Sequence, residues 1–147
     1  MAVRVEAAAF DPGAELSAFA RGRTDIGAIV TFTGIVRDDG GLRRLEIEHY
    51  PGMTERAIAA IESEAVARWH LHDSLVIHRF GALAPGAPIM MVATAAPHRG
   101  DAFAAAEFLM DYLKSRAPFW KREVTGSGAA WVAAKDADED ALGRWQD

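Results

Sequence analysis

Between Asp111 and Thr125 the chain reads Asp-Tyr-Leu-Lys-Ser-Arg-Ala-Pro-Phe-Trp-Lys-Arg-Glu-Val-Thr, which sets four cations around a proline and two aromatic rings. Pro118 disfavours a helical conformation at Ala117 and cannot carry a helical hydrogen-bond ladder onward. The spacing therefore predicts Lys114 in the last turn of a helix and Lys121 in an extended segment after it, so that two lysines from two elements can point into one pocket. Crowding of Lys114, Arg116, Lys121 and Arg122 beside Phe119 and Trp120 would destabilise an ammonium, which is how a lysine becomes a base or nucleophile near neutral pH. A structural reading competes: basic residues in a final helical turn favour the macrodipole whatever the function, and Asp111 to Lys114 is the spacing of a surface ion pair.

Two other places carry anion-binding chemistry. His98-Arg99 follows Pro97 at the junction of a strand and a helix, where an anion would meet free backbone N–H groups and the positive end of the helix dipole. Arg37, at a strand end beside a glycine-rich turn, is a second possible clamp for a phosphate or carboxylate. Each has a plain alternative: His98 as a polar helix start and Arg99 as a solvated cation, and Arg37 as one of the arginines commonplace beside turns. His49, His70, His72 and His78 lack metal-ligand spacing, and no metal is expected. No nucleophile elbow, Walker sequence or Gly-x-Gly-x-x-Gly is present. Trp69, Trp120, Trp131 and Trp145 read as core or interface residues rather than a base-stacking platform.

The elements that must position these groups follow from periodicity. Strands are predicted over Val3 to Ala8, Ile26 to Val36, Leu42 to Tyr50, Leu75 to Phe80 and Ile89 to Ala95. The second and third are expected to pair with each other across Asp38-Asp39-Gly40-Gly41, and the last two to be joined by a loop with two prolines and two glycines. Helices are predicted over Gly13 to Gly22, from Pro51-Gly52 to about Leu71, and from Gly100 to Ala117. The helix after Gly52 has an apolar stripe of Ile58, Ile61, Ala65 and Trp69, with Glu55, Arg56, Glu62 and Arg68 facing out. The helix from Gly100 is apolar over most of its circumference and is expected to be largely buried. A hairpin of Phe119 to Thr125 and Ala129 to Ala134, then a short acidic helix from Asp138 to Trp145, complete an α+β chain with mainly antiparallel pairing.

At 147 residues, half of them hydrophobic, the chain is read as one domain that needs no staple. Cysteine is absent, so a transferred sulfur or acyl group would have to arrive on another molecule. The charged start Met-Ala-Val-Arg-Val-Glu does not resemble a signal peptide, and no apolar run has the length of a bilayer span, so a cytoplasmic location with no membrane partner is expected. A net charge of -5 argues against general nucleic-acid affinity. A cationic site in an acidic whole points to a small anion.

Phe32-Thr33-Gly34-Ile35-Val36-Arg37, Glu48-His49-Tyr50-Pro51-Gly52-Met53, His98-Arg99, and the fourteen residues from Met110 to Glu123 occur in this order over nearly the whole chain. Together they resemble the large, catalytic subunit of molybdopterin synthase. The resemblance implies an α/β hammerhead with an additional mainly antiparallel β subdomain, spanning residues 1 to 147. It implies that a small β-grasp carrier subunit, ending in a Gly-Gly thiocarboxylate, inserts its tail into a pocket of this chain and passes sulfur twice to cyclic pyranopterin monophosphate. By the same resemblance Lys114 would meet the end of the tail and Lys121 would assist it. Arg37, His98 and Arg99 would hold the substrate's cyclic phosphate, with Arg122 and Glu123 lining the site. A homodimer within a heterotetramer, some site residues coming from the neighbouring copy, and no resident cofactor complete what is implied. Ile35 stands where some relatives carry a lysine, so the rim lacks one cation. The ending Arg-Trp-Gln-Asp is not a Gly-Gly tail, so the carrier is expected to be a partner. Two other classes fit parts of the pattern: a non-catalytic anion- or pterin-binding regulatory domain using the same arginines, and a phosphoester hydrolase, for which neither a metal site nor a placed nucleophile is seen.

Overall fold

The computed structural model describes residues 1–146. Its elements are β1 (Ala2–Glu6), α1 (Pro12–Ala18), β2 (Ala28–Ile35), β3 (Leu42–His49), α2 (Met53–Trp69), β4 (Asp73–Arg79), β5 (Gly81–Leu83), β6 (Pro88–Ala96), α3 (Arg99–Arg116), β7 (Phe119–Thr125), β8 (Gly128–Trp131) and α4 (Asp136–Ala141), followed by a 3-10 turn over Leu142–Trp145. Two four-stranded sheets form, one in the order β1-β4-β6-β2 and the other β5-β3-β7-β8. The β1–β4 pair is parallel and the other pairs are antiparallel. This is the mixed α+β hammerhead with a mainly antiparallel addition that the resemblance implies.

Alternation along β4 and β6 divides the first sheet into two faces. Val76, Met90 and Val92 join Ile58, Ile61 and Ala65 of α2 and Ala105, Phe108 and Leu109 of α3 in the main core, whereas Leu75, Ile77, Met91 and Ala93 meet Phe10 and Phe19 around α1. The second sheet has its own core of Val36, Leu42, Leu45, Ile47 and Leu83, and Phe119 packs against both this core and the main one. Phe119 thus joins the two layers at the point where the Lys114 helix hands over to the Lys121 strand. Gly27, just before β2, passes so close to the β6–α3 turn that a Cβ there would sit 2.1 Å from the Pro97 carbonyl oxygen. Only glycine fits, and its N–H donates to the Ala96 carbonyl at 3.0 Å.

Several expectations are corrected. β3 does not pair with β2: β2 takes the edge beside β6, and β3 lies between β5 and β7. The cause is the second core, because Leu45 and Ile47 cluster with Leu83 and Phe119, with Ile89 of β6 packed against the same cluster. Gly81–Leu83, expected in a loop, is a short strand registered on Leu45 to Ile47. β8 stops at Trp131, and the C-terminal helix starts two residues early at Asp136 and gives way to the 3-10 turn. Helix α3 buries one face only, leaving Phe103 61% exposed. Glu62, expected on the outer face of α2, is buried and accepts a hydrogen bond from Ser74 Oγ at 2.7 Å. Desolvation raises its carboxyl pKa, with the Ser74 bond opposing the rise.

Candidate active site: a cavity that gathers every lysine

Helix α3 ends as the sequence requires. Ala117 is extended, with φ -78 and ψ 132, because the following proline excludes it from the helical region. The chain then turns directly into β7, where Phe119 and Lys121 share one face and Trp120 and Arg122 the other. Lys114 and Lys121 therefore converge on one cavity of about 450 Å³, whose walls also include His78, Met90, Leu113, Phe119 and Asp138. The segment after β8 folds back over it, held by the Val132 N–H on the Lys121 carbonyl at 2.8 Å, and brings in Lys135.

The chain contains three lysines, Lys114, Lys121 and Lys135, and all three line this cavity. Every other basic side chain besides histidine is an arginine, which cannot give up its proton in the physiological range. The cavity thus collects every side-chain amine able to switch between charged and neutral forms. Among the described residues none of the three joins an ion pair, while the neighbouring arginines are occupied elsewhere: Arg116 on Glu139 at 2.9 Å and Arg122 on Glu46. Asp111, the expected surface partner of Lys114, instead accepts from Trp145 Nε1 at 2.6 Å and pairs with Arg144 at 3.3 Å. Burial lowers the pKa of Lys121, and the Lys114 charge lowers it further, with Asp138 opposing. The crowding expected from four cations is therefore delivered by the lysines, because the two arginines are neutralised outside the cavity.

The remaining sequence candidates lie elsewhere in this copy of the chain. His98 and Arg99 are exposed at the N-terminal end of α3, and His98 makes no side-chain capping bond. Fifteen residues of helix separate Arg99 from Lys114, about 22 Å at the α-helical rise. Arg37 is exposed beyond the end of β2 and contacts Asp39 at 3.3 Å. Arg122 lies over the Trp131 ring at 5.4 Å, and neither it nor Glu123 lines the cavity. Trp120 and Trp131 line the cavity with half-exposed rings, whereas Trp69 and Trp145 pack on the main core. No cluster of three or more His, Cys, Asp or Glu side chains placed to hold a metal occurs among the described residues, and no helix of those residues is long and apolar enough to cross a membrane.

Sequence reasoning passed over His78, Lys135 and Asp138. His78 is buried on the core-facing side of β4, opposite Met90. Its ring stacks on Phe119 with centroids 3.7 Å apart and planes at 16°. Desolvation holds its pKa down to about 4, opposed by a hydrogen bond to the Arg79 carbonyl and reinforced by Lys121 and His49. A base neutral in the fold and protonated in the unfolded chain costs stability as pH falls from 6.5 to about 4. The expected loss is about 3 kcal/mol. Urea unfolding at pH 7 and pH 4 should show that loss in the wild-type chain in excess of the loss in His78→Phe. Equal losses in both would mean that His78 titrates as an exposed group.

An α+β chain whose three lysine amines, unpaired among the described residues, line a recess between its two sheets can receive a small anionic group and stabilise charge that develops on it. Comparison with known sequences and structures supplies the particular family. The family model described as MoaE protein matches residues 5–116. The molybdopterin synthase catalytic subunit of Cereibacter sphaeroides is 71% identical over 146 residues, 99% of this chain and 100% of that one. Among solved structures, the molybdopterin biosynthesis MoaE protein from Burkholderia ambifaria MC40-6 is 50% identical with a TM-score of 0.85, covering 99% of this chain and 98% of its own. Molybdopterin synthase from Staphylococcus aureus is 29% identical with a TM-score of 0.81, covering 88% and 96%. The chain belongs to the MoaE family. The family match ends at Arg116, so of the three lysines only Lys114 lies inside it; the full-length relative extends over the other two.

Proposed function

We propose that this chain is the catalytic subunit of a molybdopterin synthase and acts as a sulfurtransferase. A small β-grasp carrier brings sulfur as a C-terminal Gly-Gly thiocarboxylate, and cyclic pyranopterin monophosphate receives it. The observation that supports this most is the gathering of all three lysines into one cavity in a chain without cysteine, since the protein must then manage charge on a sulfur it does not itself carry.

The chemistry divides into two parts, each performed twice. The thiocarboxylate sulfur bonds to a precursor carbon as a carbon–oxygen bond of the precursor breaks and its oxygen leaves with the electron pair and takes up a proton, so that the carrier's terminal acyl carbon stays bonded to that sulfur. Water then adds to the acyl carbon, the carbon–sulfur bond to the carrier breaks, the carrier departs as a carboxylate, and sulfur stays on the pterin. Lys114, at the end of α3 with no competing carboxylate, stabilises the thiocarboxylate and the tetrahedral oxyanion. Lys121, whose burial and proximity to Lys114 favour the neutral amine, takes and returns the proton. Arg37, His98 and Arg99 grip the cyclic phosphate, and their separation from Lys114 within one chain favours their arriving from a second copy in a homodimer, with a carrier on each copy. Arg122 and Glu123, on β7 beside Lys121, border the carrier's approach. The cytoplasm is the compartment that suits this role.

The test is reconstitution with purified chain, thiocarboxylated carrier and precursor, followed by oxidation and fluorescence detection of the dithiolene product. Product that depends on the chain is the expected result. Precursor binding without turnover would favour a pterin-binding regulatory domain instead.

A further inference from the structure

One group in the cavity has no part in the chemistry above. His78 donates from Nδ1 to the Arg79 carbonyl at 2.8 Å. A carbonyl can only accept, so in the neutral ring the proton resides on Nδ1 and the lone pair on Nε2. No buried side-chain nitrogen or oxygen among the described residues lacks a hydrogen-bond partner. Nε2, which bonds no protein group there, must therefore open onto the cavity that His78 lines. The ring orientation is fixed on one side by the Arg79 bond and on its face by the stack on Phe119. Two residues along β7, on the same face as Phe119, stands Lys121. A phenylalanine at position 78 would satisfy the stacking equally well without the cost of burying an imidazole.

We propose that His78 is a positioning residue for Lys121: its fixed Nε2 lone pair accepts a hydrogen bond from the Lys121 amine through one water in the cavity, and aims that amine into the space it shares with Lys114. The ring suits the task because it adds an acceptor without adding charge to a cavity already rich in cations. The charged and titratable groups that face the pair are Lys114 on α3, Lys135 and Asp138 at the start of α4, and His49 on β3, which supplies the other imidazole near Phe119. Lys114 and Lys135 work against a charged Lys121, and Lys121 and His49 against a charged His78; among the described residues Asp138 is the carboxylate that favours the Lys121 ammonium.

The catalytic consequence rests on the sulfurtransferase reading, but the hydrogen bond can be tested apart from it. Because the chain has three lysines, incorporation of [ε-13C]lysine gives three side-chain signals that substitution to arginine assigns. An acceptor favours the ammonium, so His78→Phe should lower the Lys121 titration midpoint by roughly half a unit to one unit. His78→Gln, whose side-chain carbonyl falls near the Nε2 position, should restore it, while the Lys114 midpoint moves less in either variant. An unchanged Lys121 midpoint in folded His78→Phe would reduce His78 to a packing residue. In the unsubstituted protein the His78 Nε2 15N shift should move through the Lys121 midpoint, and an Nε2 shift indifferent to that titration overturns the proposal without any variant. In single-turnover sulfur transfer His78→Phe should be slower by about tenfold to hundredfold, with His78→Gln within a few fold of wild type. A wild-type chain that makes no product would remove the functional reading and leave the lysine titration result standing.

Discussion

Lys114→Ala abolishes sulfur transfer while leaving the carrier bound. The single-turnover rate falls by about 10²- to 10⁴-fold, the range associated with losing a positioned acid–base group or an oxyanion stabiliser, while carrier affinity measured by titration changes by less than tenfold. Lys114 sits in the last turn of α3, and the Pro118 break aims the following strand so that Lys121 enters the same cavity. Its side chain is exposed to that cavity rather than packed in the core, so truncation removes an amine and little structure. Lys114→Arg should not restore the full rate, because the planar, forked guanidinium does not place its charge where the compact ammonium does. Normal product formation by Lys114→Ala would take this residue out of the mechanism.

Phe108→Ala destabilises the fold more than any surface change. Phe108 is fully buried on α3. Its ring lies 5.1 Å from Trp69, 5.6 Å from Trp145 and 4.6 Å from Tyr112, and the Arg68 guanidinium stands 5.7 Å from its centre. The same ring therefore ties α3 to α2 and to the C-terminal turn. Removing it deletes the apolar contacts and leaves a cavity that three rigid rings cannot readily close, a cost of about 3–5 kcal/mol. For a chain of this size that lowers Tm by roughly 10–15 °C. Calorimetry showing a loss below about 1 kcal/mol would mean that Trp69 and Trp145 collapse into the space.

The element order was readable because it depends on local patterns: alternation in the strands, the 3.6 period in α2, and a proline that ends α3. Pairing was less readable. The alternation of Leu45 and Ile47 says that β3 has an apolar face, but not which sheet supplies the surface that covers it. Glu62 was misplaced because its charge outweighed its position, although Ile58, Ile61, Glu62 and Ala65 fall on one helical stripe. A serine on the neighbouring strand makes its burial tolerable, and that partner lies twelve residues away in sequence. The convergence of Lys114 and Lys121 was legible from the Pro118 break. Lys135 was not, since it reaches the cavity only when the chain after Trp131 folds back, yet the lysine count carried a signal: three against a majority of arginines. His78 could have been placed by its alternation with Val76, the residue that faces the same core.

Whether the carrier's tail ends among these lysines is directly measurable, because lysine is so scarce in this chain. A zero-length carbodiimide joins a carboxylate to an amine already in contact with it. Applied to the complex of this chain with its carrier, followed by peptide mapping, it should link the carrier's terminal glycine to Lys114, with Lys121 as the minor site. A terminal glycine linked only to the amino group of Met1, or to no amine in a complex shown to have formed, would mean that the tail ends outside the lysine cavity.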